Sequence, residues 1–150
     1  MKITAFFGGI FVALLIVVHA KTAHADKIMY FNNGTQTEVS LTKLPQIMSI
    51  IKDMAQSTDD VYKLIVTPEY IDEVKTQKQG IEISFQQDYE LTLPQGQINV
   101  QKILLPFCEA SAENCLAVIY FGGRKSYWTP PYVNTNGARH LQKIQQIITQ

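Results

Sequence analysis

Histidine, cysteine and tryptophan are scarce in this 150-residue sequence, which holds three, two and one of them. His19 and His24 both fall within the first 25 residues, so His140 is the only imidazole beyond them. One histidine gives little material for a metal site or for a supported catalytic relay, and no cofactor motif is present. An excess of charge of one sign is also lacking, because 13 basic and 13 acidic residues cancel. Nucleic acid and anionic membrane surfaces call for a concentrated basic face, so neither is an expected partner. Repeats, linkers and low-complexity tracts are absent after Ala25.

The one long apolar run stands at the start. Met1-Lys2 precedes an uncharged stretch from Ile3 to Val18, followed by a polar break over His19–Thr22. Ala23-His24-Ala25 then offers small side chains at the two positions a signal peptidase reads. A membrane-spanning helix needs about 20 apolar residues, and this run is shorter. The pattern predicts a secretory signal peptide over residues 1–25 and one exported domain over 26–150, periplasmic or secreted. The competing pattern is an uncleaved N-terminal anchor. No cysteine stands at the cleavage position to take a lipid. Cleavage removes Lys2 and Lys21, leaving 11 basic residues against 13 acidic ones and a formal charge of −2.

Export gives the cysteines a role. Cys108 and Cys115 each border an apolar run, and in an oxidising compartment their spacing reads as a disulfide across a short loop. Such a closure stabilises a domain by about 2–3 kcal/mol in the chain-entropy picture. A free cysteine nucleophile served by His140 is disfavoured, since export would oxidise the pair.

The periodicities predict an α+β domain: an antiparallel sheet of five to seven strands, a helix after the first hairpin, and a C-terminal helix packed on the sheet. Lys27–Phe31 and Thr35–Ser40 flank Asn33-Gly34, a strong hairpin signal that also spells a glycosylation acceptor with Thr35. The helix spans Thr42–Gln56, with Thr42 as cap and a stripe of Leu44, Ile47, Met48, Ile51, Met54 and Ala55. Val61–Thr67 reads as a strand and Glu69–Gln79 as a short surface helix or loop. Ile81–Phe85 alternates cleanly, Gln86–Asp88 reads as a turn into Tyr89–Leu93, and Pro94–Gly96 turns again. In Gln97–Phe107, Ile98 and Val100 are out of phase with Ile103, Leu105 and Phe107, which predicts a β-bulge near Gln101–Lys102. Leu116–Phe121 is apolar on both faces, as a central strand is. Arg124–Trp128 reads as its return strand, Thr129–Val133 as an exit from the sheet, and Ala138–Thr149 as the last helix.

Most motif-like features have plainer explanations. Gly122-Gly123-Arg124-Lys125 lies between strands and lacks the long loop of a phosphate-binding motif. Glu69, Asp72 and Glu73 do not follow calcium-loop spacing. The suggestive segment is Arg124–Tyr132, where Arg124, Lys125, Tyr127, Trp128 and Tyr132 surround a stiff Pro-Pro turn. Aromatic rings on a rigid loop anchor partners at small entropic cost. The expected function is an exported, non-catalytic binding module for a protein, peptide or envelope component, using this loop. The alternatives are an accessory subunit of an envelope assembly and, less favoured, a carboxylate- or Tyr-based hydrolase.

The first expectation to check is processing. Mass spectrometry of the exported protein should find Asp26 as the N-terminal residue, whereas an intact Met1 contradicts the signal peptide.

Overall fold

A computed structural model describes residues 25–109 and 115–150. The signal-peptide reading therefore lies, but for Ala25, outside the described residues. The chain opens with β1 (Ala25–Asn32) and β2 (Thr35–Val39). Asn33 and Gly34 join them at φ of 47° and 87°, the left-handed pair that matches the twist of a two-residue hairpin. Ala25 pairs with Phe85 beyond an irregularity, and the unbroken β1–β4 ladder begins at Lys27.

A 3-10 turn (Leu41–Lys43) then leads into α1 (Leu44–Gln56). The side-chain cap stands two residues before the expected Thr42: Ser40 Oγ accepts the Thr42 amide at 3.4 Å and caps the 3-10 turn, while α1 itself starts after Lys43 with no side-chain cap. Pro45 falls in the first turn, where no N–H is needed. All six stripe residues are buried. β3 (Asp60–Val61), α2 (Pro68–Gln77), β4 (Gln79–Leu93) and β5 (Gly96–Pro106) follow. The chain closes with β6 (Ala117–Gly122), β7 (Tyr132–Asn134) and α3 (Ala138–Thr149).

The strands form one antiparallel sheet in the order β2-β1-β4-β5-β6-β7-β3. The α+β architecture with a C-terminal helix on the sheet is as the sequence predicts. β6 is covered on both sides. Ala117, Ile119 and Phe121 join the main core with α1 and α3, while Tyr120 joins Phe31, Leu104 and α2's Ile71 and Val74 on the opposite face.

The register break falls where expected, yet the extra residues belong to the partner strand. Ser84 faces Lys102 and Tyr89 faces Val100, so Phe85–Asp88 stand opposite Gln101 alone. The chain leaves the ladder at Gln86–Asp88 and rejoins it in the same direction, so these residues make an excursion and not the expected turn. Phe85 and Tyr89 stack at its base with centroids 4.8 Å apart. An extended strand would hold positions four apart at about 13 Å. Val100, Ile103, Leu105 and Phe107 all reach the main core, so β5 changes phase at Gln101–Lys102, while β4 keeps Ile81, Ile83, Phe85, Leu91 and Leu93 on that same face.

Three other expectations are corrected. Val61–Thr67 contributes only Val61 to a strand. The Tyr62 and Val66 amides are taken by the Pro131 carbonyl (2.9 Å) and Thr129 Oγ1 (2.9 Å), and the Leu64 amide by Tyr62 O at 2.7 Å, which bends the run. Arg124–Trp128 returns through a single bridge, Gly122 to Tyr127, not a strand. Tyr132 and Val133 do not leave the sheet: once past the prolines the chain regains its amide donors and pairs with β6 and β3.

Pro106 also ends a ladder. Phe107 N donates to Gln79 O at 2.7 Å, so alternation turns the neighbouring Pro106 toward β6, where it has no N–H to give. The β5–β6 pairing stops at Leu104–Tyr120. Cys108 and Cys115 re-tie the two strand ends as a disulfide with Cα atoms 5.7 Å apart. Gly80 permits the crowding alongside, since a Cβ there would run into the Leu105 carbonyl and the Phe31 ring.

Buried Asn134 joins the helices to the sheet. Its Nδ2 donates to Met54 O (2.9 Å) and Ser57 Oγ (2.8 Å), and its Oδ1 accepts from Asn136 N (3.0 Å). The C-terminus of α1 and the approach to α3 thus share one side chain. Asn134→Ala should cost about 2–4 kcal/mol, because several bonds are lost and buried partners are stranded. Urea unfolding checks this, and a loss below about 0.5 kcal/mol, the scale of a neutral surface change, would refute the role.

Candidate functional site

The Arg124–Tyr132 segment does not form one aromatic cluster. The structure distributes its residues over two faces. Tyr132 packs toward the main core, its ring 5.6 Å from that of Phe121. Tyr127 lies on the opposite face beside the α2 cluster. Trp128 stays exposed, with its amide donating to Phe121 O at 2.8 Å. Arg124 and Lys125 are exposed at the turn, which closes through Gly123 N to Ser126 O at 3.0 Å.

The Tyr127 hydroxyl donates to Glu82 Oε1. Glu82, on β4, also receives Lys75 Nζ from α2 on Oε2 at 2.7 Å. One half-buried carboxylate therefore holds both α2 and the 122–127 turn against the sheet. Lys102 Nζ lies 6.0 Å from the Tyr127 ring centroid. Burial, and then the neighbouring Glu82 charge, push the Tyr127 phenol far above its ordinary range. Tyr120 is raised as well, first by burial and then by its 3.2 Å hydrogen bond with Tyr70.

Three exposed apolar side chains stand on two adjoining segments. Tyr62–Val66 runs beside Thr129–Pro131, held by the two hydrogen bonds from Tyr62 N and Val66 N. It leaves Ile65 76% exposed and Tyr62 47% exposed, while Trp128 on the adjoining segment is 37% exposed. The sequence signal was Val61–Thr67 itself: strong strand propensity that the fold does not bury.

The other motifs take part in local contacts. Gly122 ends β6 and Gly123 enters a tight turn, with no helix following. Glu69 sits in the first turn of α2, its carboxyl lowered by a backbone hydrogen bond and then by Thr67. Asp59 is lowered by the Thr135 hydroxyl and amide, which it clamps ahead of α3. Among the described residues no three of His, Cys, Asp and Glu converge as metal ligands, and His140 Nδ1 is buried without a hydrogen-bond partner. A groove of about 1280 Å³ runs past the disulfide between Gln79, Leu116 and Arg139. A smaller cleft of about 310 Å³ opens at the register break beside Arg124.

Compared with known proteins, the chain matches no family model, no curated protein and no solved structure.

The raised phenols have a pH consequence with a definite sign. A phenol whose folded pKa lies above its unfolded value of 10.0 contributes stability that is full below pH 10 and lost as the pH rises further. Unfolding free energy should therefore fall in alkali, and less steeply in Tyr127→Phe. Phenolate absorbance, compared between the wild type and Tyr120→Phe and Tyr127→Phe variants, should show these two phenols ionising only on unfolding. Reversible ionisation of either one without unfolding would contradict this.

Proposed function

We propose that the chain is an exported, non-catalytic module that binds a protein or peptide partner through the apolar surface carried by Tyr62, Ile65 and Trp128. The observation that supports this most is the treatment of Val61–Thr67. A strongly β-prone run is bent out of the ladder and presents Ile65 to solvent. Covering one such side chain is worth about 1.5–3 kcal/mol, which a docking partner would recover. The surface is held stiffly, since Tyr62 and Val66 are bonded to the Thr129–Pro131 segment, and stiffness lowers the entropic cost of docking. Arg124 and Lys125 lie on the same connection as Trp128 and suit a partner with an acidic rim.

The non-catalytic reading draws on the roles of the titratable groups. Glu82, Lys75 and Tyr127 are bonded to one another as fold-holding contacts, and Asp59 is bonded to Thr135. The extracytoplasmic reading draws on the Cys108–Cys115 disulfide, which persists in oxidising compartments.

Affinity capture from the extracytoplasmic fraction tests the surface. The wild-type protein should recover partners that an Ile65→Ser/Trp128→Ala variant loses, with at least a tenfold weaker association for each. Both residues are exposed, so the variant's melting temperature should stay near that of the wild type. Identical partners recovered by both proteins would overturn the proposal.

A further inference from the structure

We propose that the cleft at the β4–β5 register break binds a small oxyanion, a phosphate or a carboxylate group, between Arg124 and Lys102. The cleft measures about 310 Å³ and is lined by Ser84, Phe85, Gln86, Gln101, Lys102 and Arg124. Two cations line it and no carboxylate does.

The arrangement follows from the register break. Lys102 pairs with Ser84 on one side and with Gly122 on the other. Cross-strand partners share a face, so the lysine stands in a row between a hydroxyl and a residue without a side chain. Just beyond, β4 departs on its excursion at Gln86–Asp88. Arg124 follows Gly122 by two positions and reaches across to donate from Nη2 to the Gln86 carbonyl at 3.4 Å. The excursion thus supplies both the opening and the carbonyl that orients the guanidinium.

Both cations are positioned by contacts that leave their charge intact. The Gln86 carbonyl engages one of the five guanidinium N–H groups. Lys102 lies beside the Tyr127 ring, which its own hydroxyl fixes to Glu82. Glu82 is committed to Lys75 and Tyr127, and Asp88, outside the lining, is turned to Gln101 Nε2 at 2.8 Å. Lys75–Glu82 is the only ion pair among the described residues. Neither cation is in an ion pair, and an oxyanion between them would gain two charge-assisted contacts. The Ser84 hydroxyl adds a neutral donor on the same face. Tyr62, Ile65 and Trp128 take no part, and Arg124 is the one residue shared with the rim of the proposed docking surface, so the site is tested on the purified protein with no partner present.

Amide-resolved NMR titration of the purified protein tests the site. Sodium phosphate and sodium succinate are the two arms, each matched in ionic strength by sodium chloride. Saturable shifts confined to Ser84–Gln86, Gln101–Lys102 and Gly123–Arg124 are expected, and the arm that saturates identifies the oxyanion. Arg124→Gln and Lys102→Gln should each weaken binding at least tenfold. Lys125→Gln, which removes an equal charge outside the cleft, should leave it unchanged. Arg124 is exposed, so its variant carries the test even if Lys102→Gln disturbs Tyr127. Shifts that fail to saturate in both arms, that match chloride, or that weaken equally in Lys125→Gln would overturn the assignment.

Discussion

A strand's side chains alternate between two faces, and β5 has apolar residues that break this alternation. Val100 and Ile103 are three apart, yet both must reach the core beneath α1 and α3. β5 therefore changes phase at Gln101–Lys102, and β4, whose own alternation is unbroken, matches the change by sending Gln86–Asp88 out of the ladder opposite Gln101. Much of the molecule rests on that adjustment. It keeps the apolar residues of the two longest strands on one face on both sides of the break, and it brings Phe85 onto Tyr89, with Lys52 over the Tyr89 ring. It also sets Lys102 beside the carbonyl that Arg124 uses.

Around this hairpin the fold is closed by a few polar side chains that each serve several elements. Glu82 secures α2 and the 122–127 turn from one face, and Asn134 secures α1 and the lead into α3 from the other. Both are satisfied by their neighbours, which is what makes polar groups at such depth tolerable. Apolar burial specifies which face each helix covers. These polar contacts then fix where along the sheet each helix rests.

The sequence made legible what depends on periodicity. The α1 stripe, the bounds of α3, the two-sided burial of β6 and the place of the register break all follow from residue spacing. What depends on distant partners was hidden. Nothing within Val61–Thr67 reveals that Pro131 and Thr129 take its amides, and propensity alone makes it a strand. Tyr127 and Tyr132 look like one cluster in the chain but are sent to opposite faces, because the bridge to Gly122 seats one and the β7 ladder seats the other. Lys102 stands out in the chain only as part of a phase break, because its neighbours across the sheet come from β4 and β6.

The two margins of the sheet bear on how this protein meets others. β2, at one border, is short and polar, with Glu38 among its four outward-exposed residues. β3, at the other border, is two residues long, and the chain bends away at Leu64 before a straight row of outward amides can form. Such borders are poor templates for another chain's backbone, and they guard against sheet-to-sheet stacking. The protein can therefore keep Ile65 in water without recruiting a foreign strand beside it. A partner docking there, as proposed, would be read by the shapes of side chains and not by the backbone ladder.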